Sequence, residues 1–219
     1  MPKAIFTIST GRCGTNYLAK LFSHVPRVFA SHELLPNMQG LAMVNWNNGN
    51  PDLMRNTVRG RMDQINLLNS NGYVWFGSNN AFIKGYGEEV LNHLRDEDVG
   101  VVILTRDRFK IADSILRHGW SVGAERDAID KSNAWLLYPG LVQNITPDPI
   151  GNDPMELALW YVDEVNARAD KFVADHPNVT YYRTGIEELN TLAGCNAMFS
   201  TFGLEPSPSI MADIGIPTN

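Results

Sequence analysis

Apolar positions along the chain follow two rhythms. Short, nearly continuous runs at 3–8, 27–31, 73–76, 81–84, 99–104 and 179–183 read as strands. Stretches in which apolar residues return every three or four positions read as helices, over 15–24, 52–69, 87–95, 108–118, 154–175 and 186–202. Within 52–69, Met54, Val58, Met62, Ile65 and Leu68 share one face, and Asn71-Gly72 stops the helix. The run Val99-Gly100-Val101-Val102-Ile103-Leu104 is apolar throughout, as a strand is in the middle of a parallel sheet covered on both sides. Strands alternating with helices predict an α/β fold of three layers, a central mainly parallel sheet flanked by helices, with ligands at the carboxyl ends of the strands.

Two stretches lack either rhythm. The polar, Asn-rich segment around Asn45 to Asn50 predicts a connection, and Pro51 starts a new element. Residues 119–153 carry Gly119, Gly123, Pro139, Gly140, Pro147, Pro149 and Gly151 beside Trp120, Trp135 and Tyr138, which predicts a substrate-side loop or lid.

Composition narrows the function classes. At 219 residues, 44% hydrophobic and 19% charged, residues 1–219 suit one domain with a substantial core. A net charge of -6 argues against broad nucleic-acid binding yet leaves room for a local basic pocket that takes a small anion. Cys13 and Cys195 are too few for a disulfide framework or a cysteine-rich zinc site and fit a reducing compartment. Met1-Pro2-Lys3-Ala4 passes straight into the first strand without a secretory leader, and no run reaches the ~18 apolar residues of a membrane span. A cytoplasmic protein without a transmembrane segment is the expectation.

The richest chemistry lies where the first strand ends. Ser9-Thr10-Gly11-Arg12-Cys13-Gly14-Thr15 is a glycine-bounded turn between strand and helix, in which Thr15 can cap a helix carrying Tyr17, Leu18, Leu21 and Phe22 inward. Backbone N–H groups at such a turn converge on an anion. Nucleoside triphosphatases place Gly-Lys-Ser/Thr here, with a hydroxyl on magnesium, whereas this chain has Gly14-Thr15-Asn16 and carries its cation inside the turn at Arg12. No metal is therefore expected. Gly-x-x-Gly also fails the dinucleotide fingerprint. A phosphatase loop would need an arginine six residues after Cys13, where Ala19 stands, so Cys13 is not read as a nucleophile. A second anion site is predicted where Arg106 leaves the 99–104 strand, with Ser114 eight residues later, about two helical turns on.

In these pieces the chain resembles the sulfotransferases that use 3′-phosphoadenosine 5′-phosphosulfate. Arg12-Cys13-Gly14-Thr15 is similar to their 5′-phosphosulfate loop, Lys/Arg-Ser-Gly-Thr, with cysteine in place of serine. Arg106 and Ser114 match the spacing of their 3′-phosphate pair, and Ala81-Phe82-Ile83-Lys84 is similar to the strand whose lysine precedes that arginine. Val179-Thr180-Tyr181-Tyr182-Arg183 is similar to the late strand that approaches the adenine. Cytosolic members carry a histidine two residues after the lysine, where Tyr86 stands here, and a C-terminal Arg-Lys-Gly segment that is absent. The resemblance therefore leans to the bacterial and Golgi-type carbohydrate sulfotransferases, whose base is a glutamate after the first helix, comparable with Glu33 of Ser31-His32-Glu33.

That resemblance implies a role for each residue. Arg12 and Lys84 would hold the sulfonate and bridging oxygen; the amides of 13–16, Cys13 and Gly14 among them, with the Thr15 and Asn16 side chains, would hold the 5′-phosphate; Arg106 and Ser114 would select the 3′-phosphate. Glu33, or His32 in its place, would be the base, and Tyr17 and Arg183 would flank the adenine. The implied partner is a small-molecule or carbohydrate acceptor with a hydroxyl or amine, against which Trp46, Trp120, Trp135 and Tyr138 offer flat faces. A P-loop-type kinase, with Asp107 as its nearest magnesium ligand, and a catalytically silent nucleotide-binding module are the competing readings.

Overall fold

The computed structural model describes residues 1–35, 38–120, 122 and 135–216. Five strands, β1 (Ala4–Ile8), β2 (Val28–His32), β3 (Val74–Ser78), β4 (Val99–Thr105) and β5 (Thr180–Gly185), form a parallel sheet in the order β2-β3-β1-β4-β5. Every residue of β1 is buried, and β1 pairs with β4 from Ala4 opposite Val99 to Ile8 opposite Ile103. The edge strands β2 and β5 are largely half-exposed, which is why their sequences are the more polar.

The helices are α1 (Thr15–Phe22), α2 (Leu41–Asn47), α3 (Asp52–Ser70), α4 (Tyr86–Leu91), α5 (Arg108–Arg117), α6 (Pro154–Asp175), α7 (Ile186–Leu189) and α8 (Leu192–Thr201). They cover the sheet on both sides, completing the three-layer α/β fold that the alternating pattern predicts. Successive strand residues face opposite ways. On one face Phe76 of β3 stacks on Phe22 of α1 at 3.7 Å, and Phe199 of α8 closes on Phe22 at 5.0 Å. On the other, Trp75 and Phe6 meet at 4.9 Å, with Phe82, Tyr86 and Phe172 filling the space toward α4 and α6.

Three sequence expectations give way to local chemistry. Residues 81–84 form no strand: Asn79 Oδ1 accepts the Ala81 amide at 2.7 Å and turns the chain into a 3-10 helix, Phe82–Lys84. The Asn-rich connection begins later than expected, because Ala42, Met43 and Val44 bury one side of α2 and carry the helix through Asn47. The helix expected over 186–202 is two, since the Thr191 hydroxyl accepts the Gly194 amide and starts α8 afresh.

Residues 121 and 123–134 of the predicted 119–153 lid lie outside the described residues. After them, Leu136, Leu137 and Tyr138 are buried in the core. Among the described residues, no helix is long and apolar enough to cross a membrane.

Candidate functional site

The chain leaves β1 toward β2 and leaves β4 toward β5, so the connections after these neighbouring strands depart in opposite directions. The carboxyl ends of β1 and β4 therefore flank an open crevice, the place where α/β sheets bind ligands. The glycine-bounded turn sits there. Its backbone is held from within and from above: Ser9 Oγ accepts the Gly11 amide at 2.9 Å, Thr10 Oγ1 donates to the Gly11 carbonyl at 2.8 Å, and the Tyr161 hydroxyl of α6 donates to the Thr10 carbonyl at 2.6 Å.

Gly11, Arg12 and Gly14 all take positive φ, at +77°, +57° and +92°. Glycine is required at the first and last for space as well as for φ. A Cβ at Gly11 would lie 2.9 Å from the Trp135 ring, and one at Gly14 would lie 2.7 Å from Ile186 Cδ1. Arg12 has no such freedom and carries strain of about 1–3 kcal/mol. Its carbonyl is pinned by Arg106 Nη1 at 2.8 Å, so the second predicted anion site braces the first.

Gly14, not Thr15, is the N-cap of α1, and among the described residues no side chain caps that end. The first-turn amides of Thr15, Asn16 and Tyr17 thus face the crevice without intrahelical acceptors, at the positive end of the helix dipole. Cys13 is buried with its Sγ 3.0 Å from Thr10 Oγ1. Burial pushes its thiol upward, so it stays protonated and offers the turn its backbone rather than a thiolate.

Three side chains from the β4–α5 side meet Arg12. Its Nε donates to Ser114 Oγ at 3.2 Å, its Nη2 lies 3.1 Å from His118 Nε2, and its guanidinium stands 5.2 Å from the Trp120 ring centre. Accepting from Arg12 leaves the Ser114 hydroxyl proton to donate to an anion. His118 and Trp120 stack at 5.0 Å. The sequence reading missed His118 as a partner of Arg12; its one signal was the four-residue spacing from Ser114, which puts both on one face of a helix.

Arg12 lines a cleft of about 230 Å³ with Gly11, Thr15, His32, Glu33, Gln39, Asn80, Trp120 and Trp135. Both candidate bases are therefore beside the turn. Glu33, at φ +48°, accepts from Asn80 Nδ2 and Gln39 Nε2, each at 3.4 Å. His32 Nδ1 lies 3.0 Å from Ser78 Oγ and 3.1 Å from the Ser78 carbonyl, so Ser78 of β3 anchors the ring at the end of β2.

Lys84 stands behind this cleft. Its side chain is fully buried, donates to Asn80 Oδ1 at 3.0 Å and to the Trp135 carbonyl at 2.6 Å, and lies 5.0 Å from both the Trp135 and Tyr161 ring centres. Asn80 links it to Glu33. No sequence signal marked Asn80 or Tyr161 for these positions.

Tyr17 and Arg183 occupy different clefts that meet at Cys13 and Arg106. Tyr17 lines one of about 240 Å³ with Gly14, Arg106, Ile186, Glu187, Asn190 and Ile216. Arg183 lines another of about 290 Å³ and pairs with Asp170 of α6. Asp107, the magnesium candidate of the kinase reading, uses Oδ1 to cap α5 by accepting the Lys110 amide at 2.9 Å. Trp46 is elsewhere, in a more apolar cavity of about 280 Å³ that contains no residue of the turn. Among the described residues, no three His, Cys, Asp or Glu side chains gather as a metal site.

No protein-family model matches the chain, and no curated protein matches it in sequence. In three dimensions it is similar to a sulfotransferase domain from the curacin biosynthetic pathway, with a TM-score of 0.60 over 97% of this chain and 78% of that one, at 10% sequence identity. At that identity the likeness speaks for the fold.

Proposed function

We propose that the chain transfers a sulfonate group from 3′-phosphoadenosine 5′-phosphosulfate to a hydroxyl or amine of a small-molecule or carbohydrate acceptor. The observation that carries this reading is the convergence of Arg12, Arg106 and Ser114, distant in sequence, on one uncapped helix N-terminus. The P-loop-like fold shared with a sulfotransferase domain supports it.

In this reading the α1 amides and the Thr15 and Asn16 side chains hold the 5′-phosphate. Arg106 and the Ser114 hydroxyl take the 3′-phosphate, and the base lies in the Tyr17 cleft against Ile186 and Asn190. The acceptor enters the cleft of Glu33 and His32. Glu33 takes the acceptor's proton as its oxygen attacks sulfur in line; the bond from sulfur to the 5′-phosphate oxygen breaks, and adenosine 3′,5′-bisphosphate leaves with the electron pair. Negative charge growing on the sulfonate and the leaving oxygen falls to Arg12, with Lys84 adding its charge from behind Asn80.

Calorimetry is the direct test. The chain should bind adenosine 3′,5′-bisphosphate in preference to ATP with magnesium, and the reverse preference would favour a kinase and defeat the proposal. Arg106→Ala should weaken the 3′-phosphorylated nucleotide at least tenfold more than its 3′-dephospho analogue, the difference expected of one charge-assisted contact; equal losses would remove Arg106 from that role. Glu33→Gln should slow turnover by about 10² to 10⁴ with donor affinity nearly unchanged. Full activity in that variant would pass the base's role to His32, which lines the same cleft.

A further inference from the structure

The β4–α5 side does more to Arg12 than touch it: among the described residues it uses one edge of the guanidinium and leaves the other. Nε–H and the neighbouring Nη2–H form the side-on edge of arginine, and they go to Ser114 Oγ at 3.2 Å and His118 Nε2 at 3.1 Å. Arginine is always a donor. His118 Nε2 must therefore accept, which places the imidazole proton on Nδ1, and Nδ1 lies 2.7 Å from the Ser114 carbonyl, an acceptor only. Ser114 thus meets Arg12 with its side chain and, with its backbone carbonyl, orients His118 four residues on at the C-cap of α5. Trp120 completes the seat, stacked on His118 at 5.0 Å and 5.2 Å from the guanidinium.

We infer that His118 is a positioning residue: held as its Nδ1–H tautomer, it locks Arg12 so that the end-on pair of N–H groups on Nη1 and Nη2 is presented to an anion in the cleft. This inference rests on the sulfonate-binding role proposed for Arg12. A guanidinium fixed in this way meets two oxygens of one anion without first being ordered, which benefits the transition state wherever charge grows on those oxygens. A guanidinium released from His118 still binds the donor but enters the reaction in the wrong orientation.

The test uses the intact chain and three readouts. Nitrogen-15 NMR of the free protein at pH 8 should find His118 protonated on Nδ1 and bare on Nε2; a proton on Nε2 would overturn the inference without any nucleotide being present. His118→Ala should lower kcat about tenfold while changing affinity for adenosine 3′,5′-bisphosphate less than threefold, and His118→Gln, whose Oε1 can accept from Arg12, should recover most of the loss. If alanine and glutamine are equally impaired, His118 only fills space and the inference fails. If the wild-type chain shows the Nδ1–H tautomer but does not bind the bisphosphate, the donor reading falls while the His118–Arg12 lock stands.

Discussion

Arg12→Ala is expected to lower sulfonate transfer by about 10² to 10³, the usual effect of removing one preorganised donor from developing negative charge. In the proposed reading the loss appears in kcat at saturating donor, because there the α1 amides, Arg106 and Ser114 are the groups that hold the nucleotide. The fold should survive. Alanine and arginine pay a similar penalty at φ +57°, and the Arg106 contact is to the backbone carbonyl of residue 12, which alanine keeps. Arg12→Lys restores the charge but not the planar edges that meet Ser114 and His118, so it should recover only part of the rate. Initial-rate measurements on the three forms, with melting temperatures as a control, decide the matter: a loss below fivefold for Arg12→Ala would take Arg12 out of the reaction.

The largest expected loss of stability lies away from the reacting groups, at Arg168. On α6 this guanidinium pairs at 2.6 Å with Glu164, whose side chain is fully buried, and donates to Asn47 Oδ1 at 2.7 Å and Asn144 Oδ1 at 3.1 Å. Glu164 in turn accepts the amides of Ile145 and Thr146. Arg168→Met keeps the apolar stem but strands a buried carboxylate, at a cost of about 3–5 kcal/mol. For a chain of this size that is a fall in melting temperature of roughly 10 °C. Adding Glu164→Gln should recover much of it, because the neutral amide still accepts from the 145–146 backbone and no charge is left unpaired. Thermal denaturation of the two singles and the double tests this; a loss under 1 kcal/mol, or no recovery, would show that the network carries little. The network also reaches the site, since Asn47 Nδ2 donates to the Lys84 carbonyl at 2.6 Å. The single variant should therefore loosen the 3-10 turn that holds Lys84.

How legible the molecule was from sequence depended on the range of the interactions involved. The buried run of β4 and the glycine-bounded turn after β1 declare themselves because continuous apolarity and left-handed φ are demands made on neighbouring residues. Lys84 shows where this fails. Its run of Ala81-Phe82-Ile83 has the apolarity of a strand, yet one side-chain bond from Asn79 to the Ala81 amide coils it into a 3-10 helix. Thr15 looked like a cap and proved to be the first helical residue, because Gly14 at φ +92° already makes the turn. Trp120 and Trp135 offered flat faces for an acceptor; the chain's own cations, Arg12 and Lys84, stand over them.

By itself the sequence determined that strands alternate with helices, that a tight turn with an internal arginine follows the first strand, and that Arg106 ends a central strand with Ser114 on the next helix. Those are properties of windows a few to a dozen residues long, governed by periodicity, steric limits on φ and helical spacing. Which of those residues meet was decided only by tertiary structure: Arg12 contacts Arg106, Ser114 and His118 across 94, 102 and 106 residues of chain. Such contacts depend on strand order, because β4 lies beside β1 and brings α5 over the turn. No local pattern encodes that adjacency. It follows from burying both faces of one parallel sheet, and it turns an arginine in a loop into one held by an adjoining helix.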